Sequence, residues 1–185
     1  LTLLTADALR DLLASELPGA LAPPRPAPAP PEPPPESAPP ARKGKAPEAK
    51  PDLLATADVV VLPERVADVA RYLRDAQGYT YLSNITAVDH LAEGVIELVY
   101  HFYRLEGGGP LAVKARVDRD NPALPSLTPF WPGANLQERE AFDLFGVQFA
   151  GHPDLRRVYM WDEFEGFPMR KDFPRQGDKY LDEDE

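Results

Sequence analysis

"GVIELVYHFYRLEGGGPLAVKARVD", residues 94 to 118, sets two runs of strand-forming residues on either side of a glycine triplet. β-Branched and aromatic side chains suit the pleated surface of a strand, whose successive side chains leave opposite faces. In the second run Leu111, Val113, Ala115 and Val117 share one face, and Lys114 and Arg116 share the other. A strand with one face in a core and the other toward water alternates in this way. The first run is apolar on both faces, so it predicts a more deeply buried neighbour. The "EGGG" between them is a flexible connection that turns the pair into a hairpin.

Toward the N-terminus, "YTYLSNITAVDH" (79–90) adds a third strand and completes a meander. "DVVVLP" (58–63) is a β-branched run suited to a buried strand. "PERVADVARYLRDAQG" (63–78) follows it, with Val66, Val69, Ala70 and Leu73 at helical spacing, Pro63 opening the helix and Gly78 closing it. Strand, helix and meander predict an α+β fold over 52–145, a mainly antiparallel sheet with helices packed on one face.

Fourteen of the 23 prolines lie between Pro18 and Pro51. Proline removes backbone donors and fixes φ, so 18–51 reads as an extended Pro/Ala-rich linker. Before it, "TADALRDLLASEL" within residues 1–17 repeats Leu9, Leu12, Leu13 and Leu17, with Thr5 placed to cap and Pro18-Gly19 to stop. So short a helix is marginal alone in water and must pack on the main domain or on a partner.

Beyond the meander, "NPALPSLTPFWPGAN" (121–135) is a proline-punctuated loop. A helix begins near Asn135 in "ANLQEREAFDLFG", its apolar face interrupted by charge. Phe142 and Phe145 are expected over Glu138, and Arg139 is placed to pair with Asp143 four residues on. Glu138 and Glu140 lie roughly 200° apart round the axis and do not point the same way, whereas Glu140 with Asp143 is geometrically possible as an i, i+3 pair, and a helix with salt bridges to neighbouring loops accounts for the acids more simply. From 146 to 185 neither helical nor strand period is sustained, yet Phe149, Tyr159, Trp161, Phe164, Phe167 and Phe173 fall within this stretch, which ends in an acidic tail. Disordered segments are poor in aromatics. Aromatic anchors, the basic pairs Arg156-Arg157 and Arg170-Lys171, and interspersed acids match the make-up of protein–protein hot spots. The stretch therefore reads as a long irregular C-terminal extension that wraps a partner.

Composition removes several alternatives. With no cysteine, disulfides, thiolate zinc sites, iron–sulfur ligation and a cysteine nucleophile are excluded. A formal charge of −10 argues against non-specific nucleic-acid binding, which needs a clustered basic face. No apolar run reaches the roughly 18 residues that cross a bilayer, and the chain reads as soluble and intracellular. A metal held by His152, Asp154 and Glu138 or Glu140 would have one nitrogen ligand and otherwise oxygen, the weaker alternative to a salt-bridged helix. His101 shares a strand face with Glu97, which suits a satisfied polar pair better than a catalytic one because no third polar group stands beside them. Arg156-Arg157 lacks phosphate-cradling glycine spacing, and no serine or threonine has a base beside it.

The blocks "ERE..DLFG" (138–146), "GHPDLRR" (151–157) and "PMRKDFP" (168–174), in this order and spacing, resemble the 30-kDa subunit family of respiratory complex I, the bacterial NADH-quinone oxidoreductase. The resemblance is dense from Glu138 to Pro174, weaker back to about Asp58, and does not include the N-terminal helix or the linker. It implies a non-catalytic structural subunit of the peripheral, hydrophilic arm of NADH:quinone oxidoreductase, a proton-translocating enzyme that passes electrons from NADH through FMN and Fe–S clusters to quinone. No cofactor or metal would sit on this chain, FMN and Fe–S clusters being held by partner subunits. The implied partners are the quinone-site, 49-kDa-type subunit and neighbouring Fe–S subunits, with the membrane reached only through the complex, on the cytoplasmic face of the inner membrane. The implied partner-binding residues are Glu138, Arg139, Glu140, Asp143, His152, Asp154, Arg156, Arg157, Trp161, Arg170, Lys171 and Asp172. Phe167 stands where the family more often has histidine, and Met169 where it has leucine. Ferredoxin- or F420-linked quinone reductases and membrane hydrogenases use homologous subunits and remain the alternative, ahead of an autonomous acid/base or metal enzyme.

Overall fold

The computed structural model of the protein describes residues 4–24, 54 and 56–174. The chain divides into two units, one of Leu1–Ala22 with Ala57–Glu185 and one of Pro23–Thr56. Most of the predicted linker and the acidic tail lie outside the described residues.

The first unit opens with α1 (Ala6–Glu16), where the Thr5 hydroxyl accepts a hydrogen bond from the Ala8 N–H at 3.2 Å and satisfies one of the helix's unpaired donors. Leu9 and Leu13 on this helix are fully buried in the same core as the sheet. The chain then lies against β1 (Val59–Val61): Leu21 bridges Val61, and the N–H groups of Ala22 and Leu62 donate to Val60 and Ala20 carbonyls at 3.0 and 2.9 Å. Pro63 starts a 3-10 turn that feeds α2 (Val66–Asp75), in which Val66, Val69, Ala70 and Leu73 are all buried.

β2 (Tyr81–His90), β3 (Val95–Tyr103) and β4 (Pro110–Asp118) form the expected antiparallel meander. The sheet order is β1-β4-β3-β2, with β1 parallel to β4. On one face Ile96, Leu98, Tyr100 and Phe102 stand opposite Val117, Ala115, Val113 and Leu111, and this face meets the buried residues of the helices in a single core. On the other face Glu97 pairs with Arg116 at 2.8 Å and Lys114 at 3.5 Å. The polar partners of Glu97 thus come from the neighbouring strands, Arg116 and Lys114 of β4 and, at 4.0 Å, His90 of β2, rather than from His101 on its own strand.

Past the meander the chain departs from expectation. β5 (Ala123–Pro125) and β6 (Gln148–Ala150) pair in parallel, joined by α3 (Ala134–Phe145). From sequence the former reads as loop and the latter as the start of the irregular extension. Three-residue strands are too short for any periodicity to register, and Pro125 can sit in β5 because this is an edge position. From Gly151 to Pro174 the chain is ordered without helix or strand.

Candidate partner-binding ribbon

The segment from residue 151 to 174 runs along α3 from its start to its end, tied at every turn. His152 Nδ1 accepts from the Asp154 N–H, so Nε2 carries the proton and donates to the Asn135 carbonyl at 3.2 Å. Both ring nitrogens are thereby used by backbone, which leaves neither for a metal. One turn on, Arg139 reaches out of α3 and donates to the carbonyls of Arg156 and Arg157, each at 3.0 Å.

Asp143 is the central tie. Its side chain is fully buried, and one oxygen accepts the consecutive N–H groups of Val158, Tyr159 and Met160 at 2.9, 2.7 and 3.0 Å, while the other accepts from Arg157 at 2.7 Å. Burial alone would raise this carboxyl, but the Met160 N–H, Arg157 and the two remaining N–H groups outweigh it and hold it below the ordinary range. Arg139 does not pair with Asp143, because Asp143 faces the ribbon and Arg139 is spent on carbonyls.

A helix leaves its last four carbonyls without helical partners. Here Gly146 N–H serves Phe142, Arg157 serves Asp143, Met169 N–H serves Leu144 and the Arg170 guanidinium serves Phe145, at 2.9, 3.1, 3.1 and 2.8 Å. Two cations at the negative end of the helix dipole add a favourable field. Gly146 ends α3 at φ +80°, and a Cβ there would stand 2.6 Å from the Phe167 ring, so both backbone conformation and space demand glycine. Phe167 lies under the guanidinium groups of Arg157 and Arg170, 5.8 and 4.9 Å from its centroid. The departure from histidine at this position therefore places a ring that two cations stack on.

The ribbon ends against the sheet. The Lys171 N–H donates to Asp89 at 2.7 Å, Asp89 binds Arg119 at 2.8 Å, and Arg119 also pairs with Asp172. Asp89 and Arg119 are not among the residues that the sequence singles out. A signal exists for Asp89, which shares the inward strand parity of Ile85 and Ala87, where a charge requires a partner.

Glu138 is also fully buried, on the α3 stripe of Ala134 and Ala141 rather than beneath Phe142 and Phe145. It accepts from Ser126 Oγ and the Leu127 N–H, both at 2.6 Å, and from Thr128 Oγ1 at 3.2 Å, fixing the loop after β5. Burial raises its carboxyl above the usual value, ahead of the opposing hydrogen bonds.

The twelve residues expected at a partner surface thus divide. Glu138, Asp143, Arg139, His152, Arg157 and Arg170 hold the chain to itself. Asp154 and Arg156 pair with each other at 2.8 Å on the exposed side, Glu140 is exposed with the Tyr159 hydroxyl 3.4 Å away, and the side chains of Lys171 and Asp172 lie on the surface at the ribbon's end. Trp161 is 62% exposed, beside Tyr159 at 60% and Val158 at 40%. Among the described residues no group of three or more His, Asp or Glu side chains converges as a metal site, and no helix is long and apolar enough to cross a membrane.

The class these features define is an α+β domain whose own C-terminal ribbon is strapped along its last helix, with apolar side chains left facing out. Residues 59–179 match the family model described as respiratory-chain NADH dehydrogenase, 30 Kd subunit, and the chain belongs to that family. It is 49% identical over 122 residues to an NADH-quinone oxidoreductase subunit of Rhizobium etli, covering 64% of this chain and 65% of that protein's length. It is 46% identical over 118 residues to the corresponding NADH-quinone oxidoreductase subunit of Moorella thermoacetica, covering 64% of this chain and 80% of that one. Among solved structures, a chain of the membrane-bound sulfane sulfur reductase, an archaeal respiratory membrane complex, matches with a TM-score of 0.63 and 26% identity over 95% of this chain and 88% of that one.

Proposed function

We propose that this chain is a non-catalytic structural subunit of the peripheral arm of a proton-translocating NADH:quinone oxidoreductase, where it clasps the quinone-site subunit and neighbouring Fe–S subunits. The observation that carries the reading is the strapped ribbon of a chain in this family: Arg139, Asp143, Arg157 and Arg170 are committed to holding its backbone, while Val158, Tyr159 and Trp161 face outward. A catalytic site would keep such groups near a cavity with a free proton to move, whereas a scaffold spends them on rigidity. FMN and Fe–S clusters belong to the partner subunits, the chain is peripheral, and it reaches the cytoplasmic face of the inner membrane only through them.

The archaeal neighbour favours a second reading, in which a homologous complex with another electron donor, linked to ferredoxin or F420 or acting as a membrane hydrogenase, uses the same module. Affinity purification of the tagged chain from gently solubilised membranes separates the two. Co-purifying flavin and Fe–S subunits with NADH-dependent quinone reduction in the eluate are the expected result. Partners without an NADH-oxidising module would move the chain to the sister complexes, and stoichiometric flavin or iron on the isolated chain would overturn the non-catalytic role.

A further inference from the structure

Two of the ribbon's arginines, Arg157 and Arg170, turn inward, and the carboxylates of its middle turn outward. Arg157 is spent on Asp143 and on the carbonyls of Phe164 and Gly166, Arg170 on the Phe145 carbonyl and the Phe167 ring, and Arg156 is neutralised by Asp154. Asp162, Glu163 and Glu165 are all exposed, and among the described residues no hydrogen bond or close ion pair holds their side chains, Arg156 acting on Asp162 only at longer range while it pairs with Asp154. They directly follow Val158, Tyr159 and Trp161, whose exposure is 40%, 60% and 62%.

This apolar run is not free to fold back. The N–H groups of Val158, Tyr159 and Met160 converge on one buried oxygen of Asp143, and Trp161 is set edge-on against Phe164 with ring centroids 4.9 Å apart. A surface ordered before binding loses little entropy when it docks. Large apolar side chains held rigidly in water, beside carboxylates that no close ion pair holds, present an incomplete interface.

We infer that residues 158–165 form a pre-ordered apolar ridge with a carboxylate rim, which docks on a lysine- and arginine-bearing surface of a neighbouring subunit. Apolar contact at Tyr159 and Trp161 holds the complex together, and Asp162, Glu163 and Glu165 select a basic partner and steer its approach. Charge complementarity identifies this occupant: a second copy would set the same carboxylates against each other, and an anionic lipid surface would be repelled. The inference rests on the assembly role proposed above and reverses the expectation that the arginines of this segment make the partner contacts.

The test compares the tagged full chain with D162N/E163Q/E165Q and with the single charge reversal E163K, each purified from gently solubilised membranes over a salt series. Retention of partner subunits by the triple variant should fall about tenfold at physiological salt, with a weaker salt dependence than the parent chain shows. The single exposed reversal, which leaves every internal tie intact, should also lower retention. Zero-length carboxylate-to-amine coupling in the parent complex should join Asp162, Glu163 or Glu165 to partner lysines. Parent-like retention of both variants at every salt concentration, or coupling only within this chain, would overturn the inference. Loss of all partners from the unsubstituted chain would instead overturn the assembly reading beneath it.

Discussion

Glu138 and Asp143 lie five residues apart on one helix, both fully buried, and their carboxyls shift in opposite directions. Glu138 meets two hydroxyls and one N–H, which do not offset its burial. Asp143 meets a guanidinium and three N–H groups, which do. A carboxyl raised in the folded state keeps its proton where the unfolded chain has lost it, so its contribution to stability is complete below the unfolded value near 4.5 and declines as pH rises through the folded value. Asp143 and Asp89 act oppositely: their contribution is present above about 3.8 and is lost as pH falls through their lowered values. Thermal melts of Glu138→Gln should therefore show a shallower loss of stability than the parent chain as pH rises from 4.5, with the acid limb below 3.8 unchanged. An unaltered slope above 4.5 would assign the shift elsewhere. Every one of these acids is visible in the sequence, but their roles are not, because the identity of a buried acid's partner is set by chain segments far away in sequence.

At the scale of elements, the ribbon is order without secondary structure. Several of its backbone donors and carbonyls, which water or a ladder would otherwise satisfy, are met by α3, by Asp89 of β2 and by one another. Asp143→Ala would leave Arg157 buried without its partner and release three N–H groups, a loss of about 3–5 kcal/mol concentrated in the ribbon. Hydrogen exchange should then accelerate at Val158, Tyr159 and Met160 while the amides of β3 keep their protection; uniform acceleration would mean that the ribbon and sheet unfold as one. The irregularity of this stretch is legible in its lack of period, and the helix before it in its spacing. The parallel pairing of β5 with β6 is not, since three residues carry no alternation and the contact closes only after α3 has reversed the chain.

For the whole molecule, α1 is the element that joins the N-terminal end of the described chain to the core of the sheet. Leu9 and Leu13 have no exposed surface and complete the core against β1, and the chain after α1 pairs along that strand's open edge. Leu13→Ala should destabilise the entire unit by about 2–5 kcal/mol, read as a lower denaturation midpoint shared by probes of α1 and of the sheet. A midpoint that moves only for the helix would show that α1 docks independently. The sequence by itself determined the meander, the strand-to-helix passage at Pro63 and the Thr5-capped α1, because alternation, helical spacing and capping are local and act within a few residues. Tertiary structure alone decided where α1 packs, which carboxylates are buried, and that Arg157 and Arg170 of the ribbon face inward while Asp162, Glu163 and Glu165 face out. Those outcomes depend on which distant groups come to lie within hydrogen-bonding distance, and that is settled only when the whole chain has closed on its core.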